Sequence, residues 1–241
     1  MCKAPALVIL PGLDGTGTLL SDFVSDFGVG HSVIVIDFPT DTFMTYDELA
    51  RYVGQRLPSD DFVLVGESFS GPLALKVAGG QPSGLKGVVL GASFARLDIP
   101  AKSLLSHVAG TVSPRMLPMF ALSFLLLGRW ATSQNVKALR TAVKMVQPHV
   151  LSRRAQAALA VDLVAQGVTV DCPTLLLEAR YDRLIPRAAS ENIAQICSRL
   201  RVETIDGPHF LLQVSRTACA SAIRNFCNEV ADQKDQRLCR G

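Results

Sequence analysis

The chain has 241 residues, of which 49% are hydrophobic and 19% charged, and this composition excludes an intrinsically disordered protein. Its formal net charge of +3 is too small to indicate a nucleic-acid-binding protein. The charge is unevenly distributed, because residues 99–170 carry eight basic side chains and one acidic, whereas residues 1–98 carry six basic and eleven acidic. The middle third of the chain therefore differs from its flanks.

The cysteines and the apolar stretches indicate the compartment. The six cysteines form no C-x-x-C pair and no metal-ligand spacing with the four histidines, so we expect reduced thiols, no bound metal and a cytoplasmic protein. The apolar run at residues 6–10 ends at Pro11-Gly12 and is therefore too short to be the core of a signal peptide. Residues 116–127 are apolar over about 12 residues, whereas a bilayer requires about 20, so we expect no stable membrane insertion. The oligomeric state is not indicated.

Six short apolar runs predict buried strands. Each is rich in Val, Ile or Leu and lacks polar alternation, as expected for a strand covered on both faces. The predicted strands are residues 6–10, 32–37, 62–66, 86–91, 174–178 and 201–205, and helical patterns cover residues 46–56, 71–78, 188–197 and 211–230. This alternation predicts an α/β fold, with a mostly parallel sheet of about six strands and helices on both faces.

The alternation stops between residues 95 and 168, where several helical segments follow one another with no strand between them. Residues 136–146 place four apolar side chains on one helical face and the basic Lys137, Arg140 and Lys144 on another. This pattern is typical of an ordinary surface helix. It also fits a cap that shields a site and presents positive charge to an anionic substrate or a lipid surface.

A candidate nucleophile follows the third predicted strand. Gly66-Glu67-Ser68-Phe69-Ser70-Gly71 leads from that strand into a helix, and a serine there with small residues two before and two after matches the nucleophile elbow G-x-S-x-G. The small neighbours are needed because the turn is tight and brings strand and helix close together. Ser70 replaces the last glycine of the pattern, although Gly71 follows. The alternative is a Gly/Ser loop that only caps a helix.

At these residues the sequence resembles the α/β-hydrolase superfamily, and within it the small capped bacterial-type carboxylesterases; the resemblance extends over nearly the whole chain. Residues 11–15, Pro-Gly-Leu-Asp-Gly, match the family's oxyanion loop H-G-x-x-G except that Pro11 replaces histidine. The resemblance implies that the backbone N–H groups of Leu13 and Phe69 form an oxyanion hole. A glycine-rich turn entering a helix also fits, but the lysine of a phosphate-binding P-loop is missing.

The resemblance also supplies the partners of Ser68. Asp182 lies in a loop after a late strand and before Pro186, as the family's acid does, and His209 follows the last strand directly before the final helix. The order Ser68, Asp182, His209 is that of the family's triad. Asp98 is the fallback acid, because some members carry it after the preceding strand. Asp182 could instead form a surface ion pair with a neighbouring arginine, Arg180 or Arg183.

The same resemblance makes residues 95–168 a helical cap or lid, inserted before the penultimate strand into a core formed by residues 1–94 and 169–241. It implies a serine hydrolase that cleaves small carboxylic esters through an acyl-enzyme intermediate, a carboxylesterase acting on short- to medium-chain acyl groups. No metal or organic cofactor is needed. Thioesterase or acyltransferase activity with the same triad is the alternative, followed by a non-catalytic ligand-binding protein.

Apolar side chains of the cap would bury partly against the core and partly line an acyl pocket. They are Leu104, Leu105, Met116, Leu117, Met119, Phe120, Leu122, Phe124 and residues 125–127.

Overall fold

The computed structural model describes residues 4–28, 30–101, 106–107, 109 and 113–238. Within these residues six strands form one sheet, in the order β2-β1-β3-β4-β5-β6, and every neighbouring pair is parallel. The strands are β1 (Ala6–Leu10), β2 (Val33–Val35), β3 (Phe62–Glu67), β4 (Leu85–Gly91), β5 (Thr174–Ala179) and β6 (Leu200–Ile205). The predicted fold class, a parallel sheet of about six strands, is confirmed.

Helices connect the strands. They are α1 (Ser21–Phe27), α2 (Tyr46–Gly54), α3 (Ser70–Gly79), α4 (Met119–Leu126), α5 (Ser133–Met145), α6 (Pro148–Ala160), α7 (Ala189–Ile196), α8 (Leu211–Val214) and α9 (Arg216–Leu238). Short 3₁₀ helices cover Thr18–Leu20, Pro114–Met116 and Gly128–Trp130. In the described part of the chain, no helix is both long and apolar enough to cross a bilayer.

Successive strand residues enter two separate hydrophobic cores, which explains the unbroken apolar runs. In β1, Val8 and Leu10 belong to the core beneath α2, α3 and α7, whereas Leu7 and Ile9 belong to the core beneath α1 and α9. Side chains alternate across a strand, so a strand with helices on both faces must be apolar at every position. The helices therefore cover both faces, as the sequence predicted.

Two elements, the final helix and strand β2, differ most from prediction. The final helix, predicted as one segment over residues 211–230, is divided into α8 and α9 because Ser215 has a non-helical backbone, with φ −103° and ψ 40°; its hydroxyl donates to the carbonyl of Asp206 at 2.6 Å. The second part continues to Leu238, beyond the predicted end, since residues 231–238 are mostly good helix formers. Strand β2 is shorter than predicted, with three residues at the edge of the sheet.

Helices α4, α5 and α6 occupy the connection between β4 and β5. Part of this connection packs on the loop that follows β1: Val146, Val150 and Leu151 form a small hydrophobic cluster with Leu13 at its border. The basic side chains of α5 are exposed and its Leu139 is buried, so the amphipathic pattern is confirmed. The division into a core and a cap domain stays a prediction.

Candidate active site

Ser68 lies on a strained turn at the carboxyl end of β3. Its φ is +50°, in the left-handed region that L residues rarely adopt. Strand and helix approach each other closely here. An added Cβ on Gly66 would lie 2.5 Å from the Ser70 carbonyl oxygen, and one on Gly71 would lie 1.6 Å from Ser93 Oγ. The turn is therefore possible only with small residues, which is the physical content of the sequence motif.

Ser70, which departs from the glycine of the motif, has a partner of its own. Its hydroxyl donates a hydrogen bond to the carbonyl oxygen of Pro11, in the loop after β1. A glycine could not make this contact. The substitution thus links the turn that carries Ser68 to the predicted oxyanion loop.

The three residues predicted as a triad form one chain of hydrogen bonds. Ser68 Oγ lies 2.8 Å from His209 Nε2, and His209 Nδ1 lies 2.8 Å from Asp182 Oδ2. The other carboxylate oxygen, Asp182 Oδ1, accepts from the backbone amides of Leu184 and Ile185 at 2.8 and 2.9 Å. The His209 and Asp182 side chains are only 3% and 7% exposed. With the proton on Nδ1 facing Asp182, Nε2 is left as an acceptor for the Ser68 hydroxyl.

The alternatives for the acid have other partners. Asp98 accepts from Arg96 Nε at 2.9 Å and from Asn192 Nδ2 at 3.0 Å. Arg180 pairs with Asp206 at 2.7 Å, and Arg183 donates to the carbonyl of Phe124 at 2.8 Å. Asp182 is therefore the carboxylate beside His209, and its predicted arginine neighbours bind elsewhere.

The loop after β1 brings Leu13 to the cavity that contains Ser68. The loop closes with a hydrogen bond from the Gly15 amide to the Gly12 carbonyl at 3.0 Å, and Gly15 has a φ of +72°. Among the described residues, neither the Leu13 nor the Phe69 amide has a hydrogen-bond acceptor. Two free N–H donors near a nucleophile are what an oxyanion hole requires.

Arg154 on α6 was not anticipated from the sequence. It is 1% exposed, and its guanidinium donates to three carbonyls: Leu13 at 3.0 Å, Asp14 at 2.7 Å and Pro39 at 2.7 Å. Burial lowers the pKa of Arg154 to about 10, and the nearby Asp14 opposes that shift. The arginine thus holds the carbonyls of the Leu13 loop to α6. An arginine on a helix with basic neighbours carries no local signal for this role.

The cavity at Ser68 and His209 has a volume of about 100 Å³ and a mostly apolar wall. The wall is formed by Leu13, Leu19, Pro114, Leu122, Leu126, Leu139, Val143, Leu151, Leu184 and Phe210. The apolar side chains of residues 95–168 were expected to pack on the core or to line the acyl pocket. Only some of them do so, because Met116, Leu117, Phe120 and Phe124 are exposed. Leu104 and Leu105 lie outside the described residues.

Two larger surface depressions, of about 510 and 500 Å³, lie at the other end of the sheet. They are lined by residues at the amino ends of β1, β3 and β4, whereas Ser68 follows the carboxyl end of β3. In parallel α/β sheets, ligands bind at the carboxyl ends of the strands. The cavity at Ser68 and His209 is therefore the candidate site, although its volume is smaller than that of either depression.

Besides Asp14, whose carboxylate accepts from Thr16, a polar pair interrupts the apolar wall. Glu67 is 5% exposed, and its Oε1 accepts from Gln213 Nε2 at 2.8 Å. Burial raises the pKa of Glu67 to about 7; the Gln213 hydrogen bond and His209 oppose this shift, and Asp14 adds to it. Neither residue was singled out by sequence reasoning, because Glu67 occupies the variable position of the elbow motif.

The described cysteines, Cys172, Cys197, Cys219 and Cys227, carry free thiols. Burial raises the pKa of each to between about 11 and 12, so these thiols stay protonated at neutral pH. Cys2 and Cys239 lie outside the described residues. In the described part of the chain, no cluster of three or more His, Cys, Asp or Glu side chains could hold a metal.

Comparison with known proteins identifies the fold. No protein-family model and no curated protein matches the sequence. Among solved structures, MenH from S. aureus has a TM-score of 0.79 at 17% identity, covering 96% of each chain. An esterase (EaEST) from Exiguobacterium antarcticum has 0.78 at 16%, covering 95% of this chain and 93% of that one. A lipase-esterase related protein from Clostridium acetobutylicum has 0.77 at 18%, with 93% and 95% covered. The resemblance to the α/β-hydrolase fold is confirmed.

Proposed function

We propose that the protein is a serine hydrolase that cleaves small carboxylic esters. The observation that carries the proposal is the hydrogen-bonded chain from Ser68 through His209 to Asp182, with Ser68 on a strained turn at the carboxyl edge of the sheet. The names of the structural neighbours, which include esterases, agree with hydrolase activity. The cytoplasmic location and the lack of nucleic-acid partners stay predictions from the sequence.

In the proposed mechanism, His209 Nε2 accepts the proton of Ser68 as its Oγ attacks the ester carbonyl carbon. Asp182 holds the imidazole in the required tautomer and stabilises the imidazolium. The Leu13 and Phe69 amides donate to the oxyanion of the tetrahedral intermediate, where losing one such donor costs about 3–4 kcal/mol. His209 then protonates the leaving alcohol, and a water activated by the same imidazole releases the acid from Ser68.

We propose that residues 95–168 act as the cap of this site. Leu122, Leu126, Leu139, Val143 and Leu151, all in this segment, line the cavity with Ser68. A cavity of about 100 Å³ with such walls suits a short acyl chain. We therefore expect short- to medium-chain esters to be the best substrates.

Hydrolysis of p-nitrophenyl esters from acetyl to palmitoyl tests the proposal. We expect turnover by the wild type, and a loss on the order of 10⁶-fold in kcat for Ser68→Ala, because the variant has no nucleophile. Ser198→Ala, an exposed serine before β6, is the matched control and should keep full activity.

Equal rates for Ser68→Ala and the wild type would refute the serine mechanism. Turnover of acyl thioesters without turnover of oxygen esters would make the protein a thioesterase. Circular dichroism of each variant shows whether a lost rate reflects a lost fold.

A further inference from the structure

A carboxylate oxygen without a partner lies beside the nucleophile. Glu67 directly precedes Ser68 and lines the same cavity. Its Oε1 is bound by Gln213, but among the described residues no group donates to Oε2. Oε2 lies 3.8 Å from the position that a Cβ on Gly12 would take, and Gly12 also borders the cavity. One oxygen of a nearly buried carboxylate is thus directed toward the place where substrate would bind.

Gln213 leaves a second acceptor unsatisfied. Its Nε2 donates to Glu67, and its Oε1 is buried without a hydrogen-bond partner. A buried acceptor without a donor is destabilising by about 1–3 kcal/mol, so such groups are rare unless a ligand completes them. Two adjacent acceptors, one on each side chain, therefore lack donors.

The cationic and basic groups nearby have other partners. The Arg154 guanidinium donates to backbone carbonyls of Leu13, Asp14 and Pro39. Both nitrogens of His209 are engaged, by Ser68 and by Asp182. The protein groups seen here therefore do not complete the Glu67–Gln213 pair.

The rest of the cavity wall does not explain why the Glu67 carboxylate is buried there. It is formed mainly by leucines, Val143 and Phe210, together with Asp14, whose carboxylate accepts from Thr16, so a simple alkyl ester would find mostly apolar contacts there. Such a substrate would also separate Glu67 from water without giving it a donor, which is unfavourable for a buried polar group. A substrate that carries its own donor would avoid that penalty.

We propose that Glu67 and Gln213 form a polar subsite that accepts a hydrogen bond from a hydroxyl group of the substrate. The proposal rests on the proposed esterase function and refines it: the preferred esters carry a hydroxyl near the scissile bond. A hydroxyl can both donate and accept, so it suits this carboxyl group whether or not it carries a proton. An ammonium group can only donate, and it would have to be desolvated among leucines.

Matched pairs of esters test the subsite. One pair compares p-nitrophenyl 3-hydroxybutyrate with 3-methylbutyrate, which places a hydroxyl or a methyl on the acyl side. The other compares 2-hydroxyethyl butyrate with propyl butyrate, which does so on the alcohol side. We expect the wild type to favour the hydroxylated member of at least one pair by about tenfold or more in kcat/KM.

The variants Glu67→Leu and Gln213→Met should bring that ratio to about one, because each removes an acceptor. Glu67→Gln keeps a carbonyl oxygen of similar shape and should retain part of the preference. Glu191→Leu, at an exposed position on α7, is the control and should keep the wild-type ratio. The ratio is measured on one enzyme at a time, so a partly unfolded sample lowers both rates without changing it.

If the wild type hydrolyses both members of each pair with equal kcat/KM, the subsite proposal is wrong and the esterase proposal stands. A preference that persists in Glu67→Leu would likewise show that the pair only joins β3 to α8. Failure to hydrolyse any of the four esters would overturn the esterase proposal and the subsite together.

Discussion

Arg154 illustrates how one residue joins two parts of the molecule. A guanidinium that is 1% exposed needs hydrogen-bond partners or it destabilises the fold, and Arg154 has them at both terminal nitrogens, whereas its Nε has none. Its bonds go to the carbonyls of Leu13, Asp14 and Pro39, and they orient the peptide units around the amide proposed to bind the oxyanion. We therefore regard Arg154 as a positioning residue.

Replacing Arg154 by methionine removes the donors of three carbonyls. We expect Arg154→Met to lower the free energy of unfolding by about 2–4 kcal/mol, because the carbonyls remain buried without partners. We also expect kcat to fall by about tenfold or more while KM changes less, since the Leu13 amide is no longer held in place. Urea unfolding and ester kinetics measure the two effects.

The neighbouring Arg153 provides the control. It is exposed, and its guanidinium lies 4.6 Å from the centroid of the Phe43 ring. Arg153→Met should change stability by about 1 kcal/mol at most. If the two variants lost stability and kcat equally, the contacts of Arg154 with the loop would not be the cause.

At the scale of elements, the junction of β3 and α3 depends on glycine. Besides its 2.5 Å approach to the Ser70 carbonyl, a Cβ on Gly66 would lie 2.8 Å from the Cβ of Ala74. These are backbone and core atoms that cannot move independently. The strand and the helix can approach this closely only because position 66 has no side chain.

We expect Gly66→Ala to push α3 away from β3, and thereby to misplace Ser68 and remove most of the esterase activity. Gly54→Ala, at the end of α2, is the matched control, because a Cβ there would meet nothing within 4 Å. That control should be neutral or stabilising by about 0.5–1 kcal/mol, since alanine favours helix. Melting temperature and kcat/KM distinguish the two. Full activity of Gly66→Ala would contradict the close packing.

At the scale of the whole molecule, Glu67 makes stability depend on pH in a direction opposite to that of most carboxylates. Burial raises its pKa to about 7, from 4.5 for an unperturbed group. At pH values between these two pKa values, Glu67 is mostly protonated in the folded protein and mostly ionised in the unfolded chain. Stability from this group is therefore complete below about pH 4.5, and falls as the pH rises toward 7.

Equilibrium unfolding from pH 4.5 to 8 measures this effect as the difference between the wild type and Glu67→Gln. The glutamine does not titrate, so the wild type should lose about 3 kcal/mol relative to the variant as the pH rises through this range. Taking the difference cancels the other titrating groups. Parallel curves for the two proteins would show that Glu67 titrates alike in the folded and unfolded chains.

Much of the architecture follows from local sequence. The runs at β1, β3 and β5 are apolar at successive positions because both faces of these strands are covered, and that requirement is visible in a few consecutive residues. The small residues around Ser68 are likewise local, since they are imposed by one tight turn. The resemblance to the α/β-hydrolase superfamily placed Asp182 and His209 as partners of Ser68, and each of the three residues follows a predicted strand.

Only the tertiary structure decided which distant groups meet. Arg154 binds a carbonyl 141 residues away, and Gln213 binds a carboxylate 146 residues away. The two faces of α4 were likewise known only from the tertiary structure: Leu122 and Leu126 line the cavity, whereas Phe120 and Phe124 are exposed. The sequence could not distinguish these faces, because a helix that is apolar all round has no hydrophobic periodicity. Local patterns report burial and backbone conformation, which neighbours in the chain determine. The polar contacts around the candidate site depend on how the elements pack, and no segment of the sequence contains that information by itself.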